Sequence, residues 1–345
     1  MRLGLAFGGC SFEHEISIVS AISVCKILPQ VEFCIFLDLE HQFYWIPKSK
    51  MSSKLFSSGE YKKCKQLVLG AMDFYVKGLM GHSKLGVECV LSLIHGGDGE
   101  DGVFSSLLDF YRIPYIAPRP DACVLSYDKA LSKVYAQSRG VKVLPFEVYD
   151  RNNAPKELAD YPAIIKPLRL GSSIGVGVVG SAQELDYYLD SAFEYDDRIL
   201  VEPFVAGVRE YNLAGFKDKN GEIVFSVIEE PQKKEFLKFE DKYLDFSRTQ
   251  SVAEASVGTD LQIKLKENFA KLYHQCFEGA IIRCDFFVID DEVYLNEINP
   301  IPGSLANYLF EDFSQVIDQI FIPNTRRIRV DYTYIHQIQR AKGKA

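Results

Sequence analysis

At 345 residues the chain is long enough for two to three domains of ~150 residues, each with its own core, which excludes a small disulfide-stapled module. Apolar residues make up 47% and charged residues 25%, with no repeat or low-complexity tract, so an ordered globular chain is expected. A net charge of −8 argues against a nucleic-acid partner, and the one basic run, Arg326, Arg327, Arg329, Arg340, Lys342 and Lys344, is read as a solvated surface. No apolar stretch approaches the ~18 residues that span a bilayer and the N-terminus lacks a signal-peptide layout, so a cytoplasmic protein without a membrane partner is expected. The eight cysteines are spaced too widely for a Cys-x-x-Cys site or a disulfide framework and read as reduced thiols.

In chain order, a short apolar strand at 2–7, a helix over 15–28, strands at 33–39 and 88–94 and a helix over 103–111 predict a parallel α/β domain. Residues 47–87 carry no clear period and are expected to be loops with an edge element. One long helix is predicted from Asp121 to Gly140. The texture then changes to α+β. Ser181 and Glu184 form a capping box for a helix ending near Phe193. Asn220-Gly221 and Asp290-Asp291-Glu292 each separate two strands, as hairpins do, and the two lobes of this region are expected to join near 201–207.

Several motifs match on paper and fail in context. Gly175 to Gly180 fits G-x-G-x-x-G, but its valines make it a strand instead of a strand-to-helix turn. Gly171 to Gly175 fits G-x-S-x-G, yet a strand and not a helix follows the serine. His14-Glu15 lacks the second histidine of H-E-x-x-H, and there is no Walker loop.

The chemistry concentrates in the last hairpin. A three-residue loop at 290–292 would set Ile289 against Val293, and counting back pairs Asp285 with Glu297 and Arg283 with Asn299 on one face with Phe287, Ile289, Val293 and Leu295. Directly opposed side chains sit ~5 Å apart at Cβ, so two carboxylates and an amide converge in apolar surroundings, an oxygen set that suits Mg²⁺. The competing reading is a salt bridge through Arg283; Asn299 beside Glu297 favours the metal. After Pro300-Ile301-Pro302-Gly303, the positions of Leu305, Tyr308, Leu309, Phe313, Val316, Ile317 and Ile320 predict an amphipathic helix whose N-terminus points at this site and offers N–H groups to an oxyanion.

Two further clusters stand out. Lys166 ends an apolar strand just before the Gly171-Ser172-Ser173-Ile174-Gly175 loop, whose N–H groups and hydroxyls suit a polyphosphate. Lys129 and Lys133 are a like-charge i, i+4 pair; Lys133 is read as part of a solvated helix face. In the first domain, Gly8 to Glu13 and His95 to Gly102 both lie where a strand gives way to a helix, where open α/β sheets bind ligands. Their acidity suits an ammonium group, with Glu13 as counter-charge, while Asp98 and Asp101 are equally read as loop caps.

Read together, GGCSFEHEIS at 8–17, HGGDGEDG at 95–102, Asp128-Lys129, IKPLRLGSSIG at 165–175, VEPFVAGVRE at 201–210, Lys242-Tyr243, Arg283 to Asp285 and NEINPIPG at 296–303 resemble the D-alanine:D-alanine ligase family of the ATP-grasp superfamily, in the family's order and over nearly the whole chain. The resemblance implies an ATP-grasp fold: a Rossmann-like parallel-sheet domain (1–118), a central lobe (119–204) and a C-terminal lobe (205–345) enclosing ATP. It implies that Lys129, Lys166, Ser173 and Lys242 hold ATP phosphates, Glu202, Val205 and Phe287 the adenine region and Glu210 the ribose. Asp285, Glu297 and Asn299 would carry two Mg²⁺ ions, with Mn²⁺ able to substitute. Glu13 and His95 would bind the first D-alanine, Arg283 and Gly303 the oxyanion, and Ser172, Tyr243 and Glu13 would latch the lid.

The implied reaction is ATP-dependent joining of two D-alanines through a D-alanyl phosphate, for peptidoglycan precursor synthesis, by a cytoplasmic homodimer. Tyr243 favours D-alanine as second substrate; the alternatives are a relative that takes D-lactate or D-serine and, more distantly, an α/β-hydrolase. The chain departs from the family at Ser304-Leu305 and at Tyr308, where a serine commonly holds the second carboxylate. Tyr308 is therefore read either as a replacement for that contact or as a packed core residue.

Overall fold

The computed structural model describes residues 1–231, 251–323 and 328–343. The first body is an eight-stranded sheet. Strand β1 (Leu3–Gly8), fully buried, lies parallel to β2 (Val31–Leu37) on one side and to β7 (Cys89–Ser92) on the other, and β7 is parallel to β8 (Tyr115–Ile116). An apolar run buried on both faces is what a central parallel strand requires. Helix α1 (His14–Ile27) and helix α3 (Val103–Tyr111) connect these strands, as the hydrophobic period predicts.

Residues 47–87 are more ordered than expected. After β3 (Phe43–Ile46) and the short helix α2 (Ser53–Ser57), β4 (Lys65–Gly70), β5 (Asp73–Gly78) and β6 (Gly81–Lys84) form an antiparallel meander that carries the sheet outward in the order β6-β5-β4-β3-β2-β1-β7-β8. Strand β6 is exposed at every residue, so no apolar alternation marks it.

The single helix expected from Asp121 is two: α4 (Pro120–Tyr127) and α5 (Lys129–Ser138). Asp128 has extended backbone at the break, and its carboxylate accepts the Ala130 and Leu131 N–H groups, so it starts a new helix instead of continuing the old one. The same carboxylate pairs with Arg198 at 2.8 Å, and the Lys129 N–H donates to the Leu168 carbonyl, which fixes the start of α5 against the next sheet.

That sheet is four-stranded, ordered β10-β13-β11-β12, from β10 (Glu147–Asp150), β11 (Ala163–Pro167), β12 (Gly177–Val179) and β13 (Arg198–Pro203), with α6 (Leu185–Phe193) packed on it. Residues 177–179 are a strand, which disposes of the dinucleotide motif. The expected capping box is not made: the Ser181 side chain makes no cap, and Glu184 accepts instead from the Gly180 N–H at 2.8 Å, one residue before it.

The last sheet is ordered β15-β14-β16-β17-β9, from β9 (Lys142–Val143), β14 (Arg209–Lys217), β15 (Ile223–Glu229), β16 (Ile282–Ile289) and β17 (Glu292–Asn299). Helix α7 (Thr259–Tyr273) buries Leu265, Phe269, Leu272 and Tyr273 with Cys284, Phe286, Leu295 and Ile298, so one face of the sheet is core and the other is left for the site. Two short helices follow, α8 (Phe313–Gln319) and α9 (Thr333–Lys342).

The β16/β17 register reaches the expected functional pairs by a different route. The loop is two residues, Asp290 and Asp291, both left-handed (φ 51° and 61°), so Ile289 faces Glu292 and Val288 faces Val293. A bulge then spends one extra residue, Asn296, before Asp285 meets Glu297 and Arg283 meets Asn299. The expected surroundings are therefore corrected: Val293 and Leu295 face the core, and the residues beside the carboxylates are Phe287 and Tyr294.

The helix expected from Gly303 is also corrected. Residues 303–309 form 3₁₀-like turns in which Ser304, Leu305 and Ala306 are left-handed (φ 49°, 55° and 50°), and the helix proper begins after Asp312, which caps it. The helix N-terminus expected at Gly303 is therefore not there. The Ser304 N–H donates to Ser20 Oγ at 3.2 Å and the Leu305 N–H to the Pro302 carbonyl.

Candidate active site

The site lies where the three sheets meet, and its side chains are set by strand ends and the loops after them. Glu13, at the start of α1, is 4% exposed; Oε1 accepts a 2.6 Å hydrogen bond from Ser172, while Oε2 is buried without a hydrogen-bond partner among the described residues. The loop that carries Ser172 is pressed close. Ser172 and Ser173 are both left-handed (φ 55°), and a Cβ on Gly171 would approach Glu13 Oε1 to 2.8 Å. Ser173 is exposed at the loop tip.

His95 is buried, with Nε2 3.2 Å from Ser20 Oγ and Nδ1 3.5 Å from Glu100. Ser20 thus bridges His95 and the turn after Gly303. Burial lowers the His95 pKa and raises that of Glu13, and Glu100 raises Glu13 further. Asp98 and Asp101 are the loop caps of the alternative reading: Asp98 accepts the Cys10 N–H at 2.6 Å and Asp101 the Asp98 and Val103 N–H groups.

Glu100 was not among the expected site residues, because one more carboxylate in an acidic Gly-rich loop carries no pattern. Its carboxyl is pushed up to about 8, chiefly by burial. An acid whose pKa is raised on folding holds a proton that the unfolded chain releases, so the stability tied to it is present below the ordinary carboxylate range and is lost as pH rises towards 8. Glu100→Gln should therefore flatten the fall of melting temperature between about pH 5 and pH 8.5. Parallel melting curves for wild type and variant across that range would refute this.

The lysines converge from two elements. Lys129 Nζ donates to the Leu170 carbonyl at 2.5 Å, and burial lowers its pKa. Lys166 donates to Glu202 and, at 3.2 Å, to Asn296, the bulge residue of β17. One expectation is corrected here. Lys133 is 2% exposed and pairs with Glu202 at 2.8 Å, so it is no part of a solvated face. The Glu202 carboxylate lies between Lys133 and Lys166, and Val205 is half-buried after β13.

On the open face of the last sheet, Arg283 grips Asp285 in a bidentate pair (2.6 and 2.7 Å), Asn299 donates to the same carboxylate at 3.0 Å, and Arg283 Nη1 donates to the Tyr308 hydroxyl at 3.3 Å. Glu210 faces Phe287 on the neighbouring strand, and burial, then Asp285 and Glu297, pushes its carboxyl up to about 7. Asp285 is likewise raised by burial, against the pull of Arg283.

Both readings of the cluster thus have physical content: the salt bridge exists, and the carboxylates still crowd one another. A divalent cation would relieve that crowding, and an aspartate, a glutamate and an amide are a hard oxygen set of the kind Mg²⁺ takes along with waters and phosphates. Among the described residues no group of three or more His, Cys, Asp or Glu side chains forms a metal cage, so a cation here would need ligands from outside the chain. Gly303 is half-buried in the turn beside Tyr308. Lys242 and Tyr243 lie outside the described residues.

Models of the D-ala D-ala ligase N-terminus and C-terminus match residues 2–118 and 136–316. The chain belongs to the D-alanine–D-alanine ligase family. It is 57% identical to the D-alanine–D-alanine ligase of Wolinella succinogenes and 55% identical to that of Helicobacter hepaticus, with all of both chains covered in each case. The crystal structure of the Helicobacter pylori D-alanine–D-alanine ligase superposes with a TM-score of 0.83 at 48% identity over 92% of this chain and 96% of that one. The VanG D-Ala:D-Ser ligase of Enterococcus faecalis, at 23% identity and a TM-score of 0.72, shares the ATP-grasp fold.

Proposed function

We propose that the protein joins two D-alanine molecules to D-alanyl-D-alanine at the expense of ATP, releasing ADP and phosphate, as a step in peptidoglycan precursor synthesis. The observation that carries this reading is the convergence of Glu13 and Ser172 with the lysine cluster and the Arg283–Asp285 pair, in a family member that covers its relatives end to end.

The carboxylate of the first D-alanine attacks the γ-phosphorus, and ADP leaves. The amine of the second D-alanine then attacks the acyl carbon, and phosphate leaves the tetrahedral intermediate. Glu13 supplies the counter-charge for the first ammonium, next to His95. Lys129, Lys166 and Lys242 neutralise phosphate oxygens, with Ser173 at the loop tip. Val205, Phe287 and Glu210 line the nucleoside side. Asp285, Glu297 and Asn299 hold Mg²⁺, which when bound screens the phosphate charge. Arg283, with the backbone at Gly303, stabilises the oxyanion. The Ser172–Glu13 bond, with Tyr243 as its partner, holds the loop down so that water does not reach the acyl phosphate.

All eight cysteines are free, in keeping with a reducing cytoplasm, and no described helix is long and apolar enough to cross a membrane. The reading is tested by ADP release that depends on D-alanine and matches dipeptide formed one for one. Faster turnover with D-serine or D-lactate as acceptor would replace it.

Tyr308 joins the two readings of its position: its ring is 6% exposed in the core, and its hydroxyl accepts from Arg283. We expect Tyr308→Phe to raise the KM of the second D-alanine several-fold, on the order of one lost hydrogen bond, with ATP KM and melting temperature nearly unchanged. A lower melting temperature with both KM values intact would leave it a core residue only.

A further inference from the structure

Away from the proposed substrates, the core of the first body holds two thiols in contact. Cys25, in the last turn of α1, and Cys34, in the middle of β2, lie with their sulfurs 3.3 Å apart, and the two residues are 5% and 0% exposed. Lys48 sits over the turn that joins the two elements, its ammonium donating to the Leu28 carbonyl at 3.0 Å and to the Val31 carbonyl at 3.5 Å.

A buried cysteine is ordinarily inert packing, and burial pushes Cys89 and Cys123 up to about 12 in that way. Cys25 goes the other way. Its hydrogen bond with Cys34 lowers its pKa against burial, and Lys48 lowers it further, while the same bond, followed by burial, raises Cys34. One sulfur is thus the first to ionise and its neighbour keeps its proton, the division of labour between an attacking and a resolving thiol. The two sulfurs are already in van der Waals contact, and a disulfide bond of about 2.05 Å asks them to close by roughly 1 Å.

We propose that Cys25 and Cys34 form a redox-modification site: hydrogen peroxide closes them to a disulfide that ties α1 to β2 and weakens D-alanine binding at the other end of the helix. The Cys25 thiolate attacks one peroxide oxygen, the O–O bond breaks, and a sulfenic acid forms while the departing hydroxide takes up the proton that Cys25 released. The Cys34 sulfur then attacks the Cys25 sulfur, the S–O bond breaks, and the sulfenic hydroxyl leaves as a second water with the Cys34 proton. Two electrons pass from the thiols to the peroxide. The burial of the pair suits an oxidant close to water in size and excludes a bulky organic disulfide.

Helix α1 carries the change to the site because three of its contacts lie there. Glu13 precedes its first turn; Ser17 Oγ accepts the Gly8 N–H at 2.8 Å and donates to the Leu93 carbonyl at 2.5 Å; and Ser20 Oγ meets His95 and the Ser304 N–H. A close-packed interior passes displacement on instead of absorbing it, so drawing the last turn of α1 onto β2 shifts Ser20 against both of its partners. The effect on D-alanine rests on the proposed roles of Glu13 and His95; the bond itself does not.

The test treats the full-length protein with hydrogen peroxide and follows it by tandem mass spectrometry of a tryptic digest and by steady-state kinetics. Residues 3–26 should be found joined to residues 27–48 through Cys25 and Cys34, two hydrogens lighter than the separate peptides, and dithiothreitol should release them. The KM of the first D-alanine should rise at least about 5-fold in the oxidised protein, with ATP KM within about 2-fold, and return on reduction. Cys25→Ser should form no link and keep its KM under peroxide; if it does not fold, Cys34→Ala takes its place. Absence of the link, or a link with D-alanine KM unchanged, overturns the proposal. Cys10, exposed in the loop before Glu13, is the rival target, and a rise in KM that persists in Cys25→Ser belongs to it and overturns the proposal as well. If the reduced protein releases ADP without dependence on D-alanine, it is the proposed reaction that fails, and the linked peptide still decides the bond.

Discussion

Asp285→Asn is expected to lower turnover on the order of 10³-fold, because it removes a carboxylate from the set proposed to hold Mg²⁺, and charge stabilisation of this kind supplies several kcal/mol in phosphoryl transfer. The same change strips the buried Arg283 of its bidentate partner, so stability should fall as well, by about 3 kcal/mol. Glu297→Gln separates the two effects. It faces Asp285 across the hairpin but leaves the Arg283–Asp285 pair in place, so activity should fall comparably with a smaller loss of melting temperature. ADP release at rising Mg²⁺, measured beside thermal melts, checks both; near-normal turnover of either variant at saturating Mg²⁺ would remove the metal from this hairpin.

Arg283→Met should cost on the order of 10² to 10³ in kcat, the usual loss when one preorganised donor to a developing oxyanion is removed. It also leaves Asp285 with Asn299 as its described hydrogen-bond donor, which should raise the Asp285 pKa still further. Activity of the variant should therefore rise more steeply with pH than that of wild type. A kcat within about 10-fold of wild type, with an unshifted pH profile, would assign Arg283 to structure alone.

The parts of the fold that could be read from the sequence are those where burial leaves a period. Strand β1, buried at all six positions, and α3, whose bounds match the expected ones, are of that kind. Strands β4 to β6 are not, because their outer strand has no buried residue to betray it. The break at Asp128 is legible only in hindsight, as an aspartate that caps a helix inside a continuous helical period. The left-handed run at Ser304–Ala306 has no glycine to announce it; three ordinary residues there cost about 1–2 kcal/mol each, and full burial of the turn offsets this.

At the hairpin, the facing of Asp285 with Glu297 was expected from a three-residue loop and is reached instead by a two-residue loop and a bulge, and the contact of Ser172 with Glu13 is one that the family resemblance implied. Lys133 and Glu100 were not legible. Their surroundings depend on residues distant in the chain, Glu202 of β13 for Lys133 and Lys129 and Glu297 for Glu100, which no local pattern records.

The hairpin that carries Asp285 and Glu297 also constrains which insertions and deletions a chain of this kind can tolerate. What the site fixes is that the two carboxylates face each other. An extra residue could sit in the turn, as a three-residue loop, or in the strand, as the bulge at Asn296, and in either case Asp285 would still meet Glu297. The choice between the two is made on the other side of the sheet, where moving the extra residue into the turn would swing Val293 and Leu295 out of the core and bring Tyr294 in. A lone deletion at Asn296 would remove the bulge and leave Asp285 opposite Glu297 and Arg283 opposite Asn299, with Val293 and Leu295 still facing the core. A relative one residue shorter in this strand should therefore keep both facing pairs and lose only the amide that accepts from Lys166.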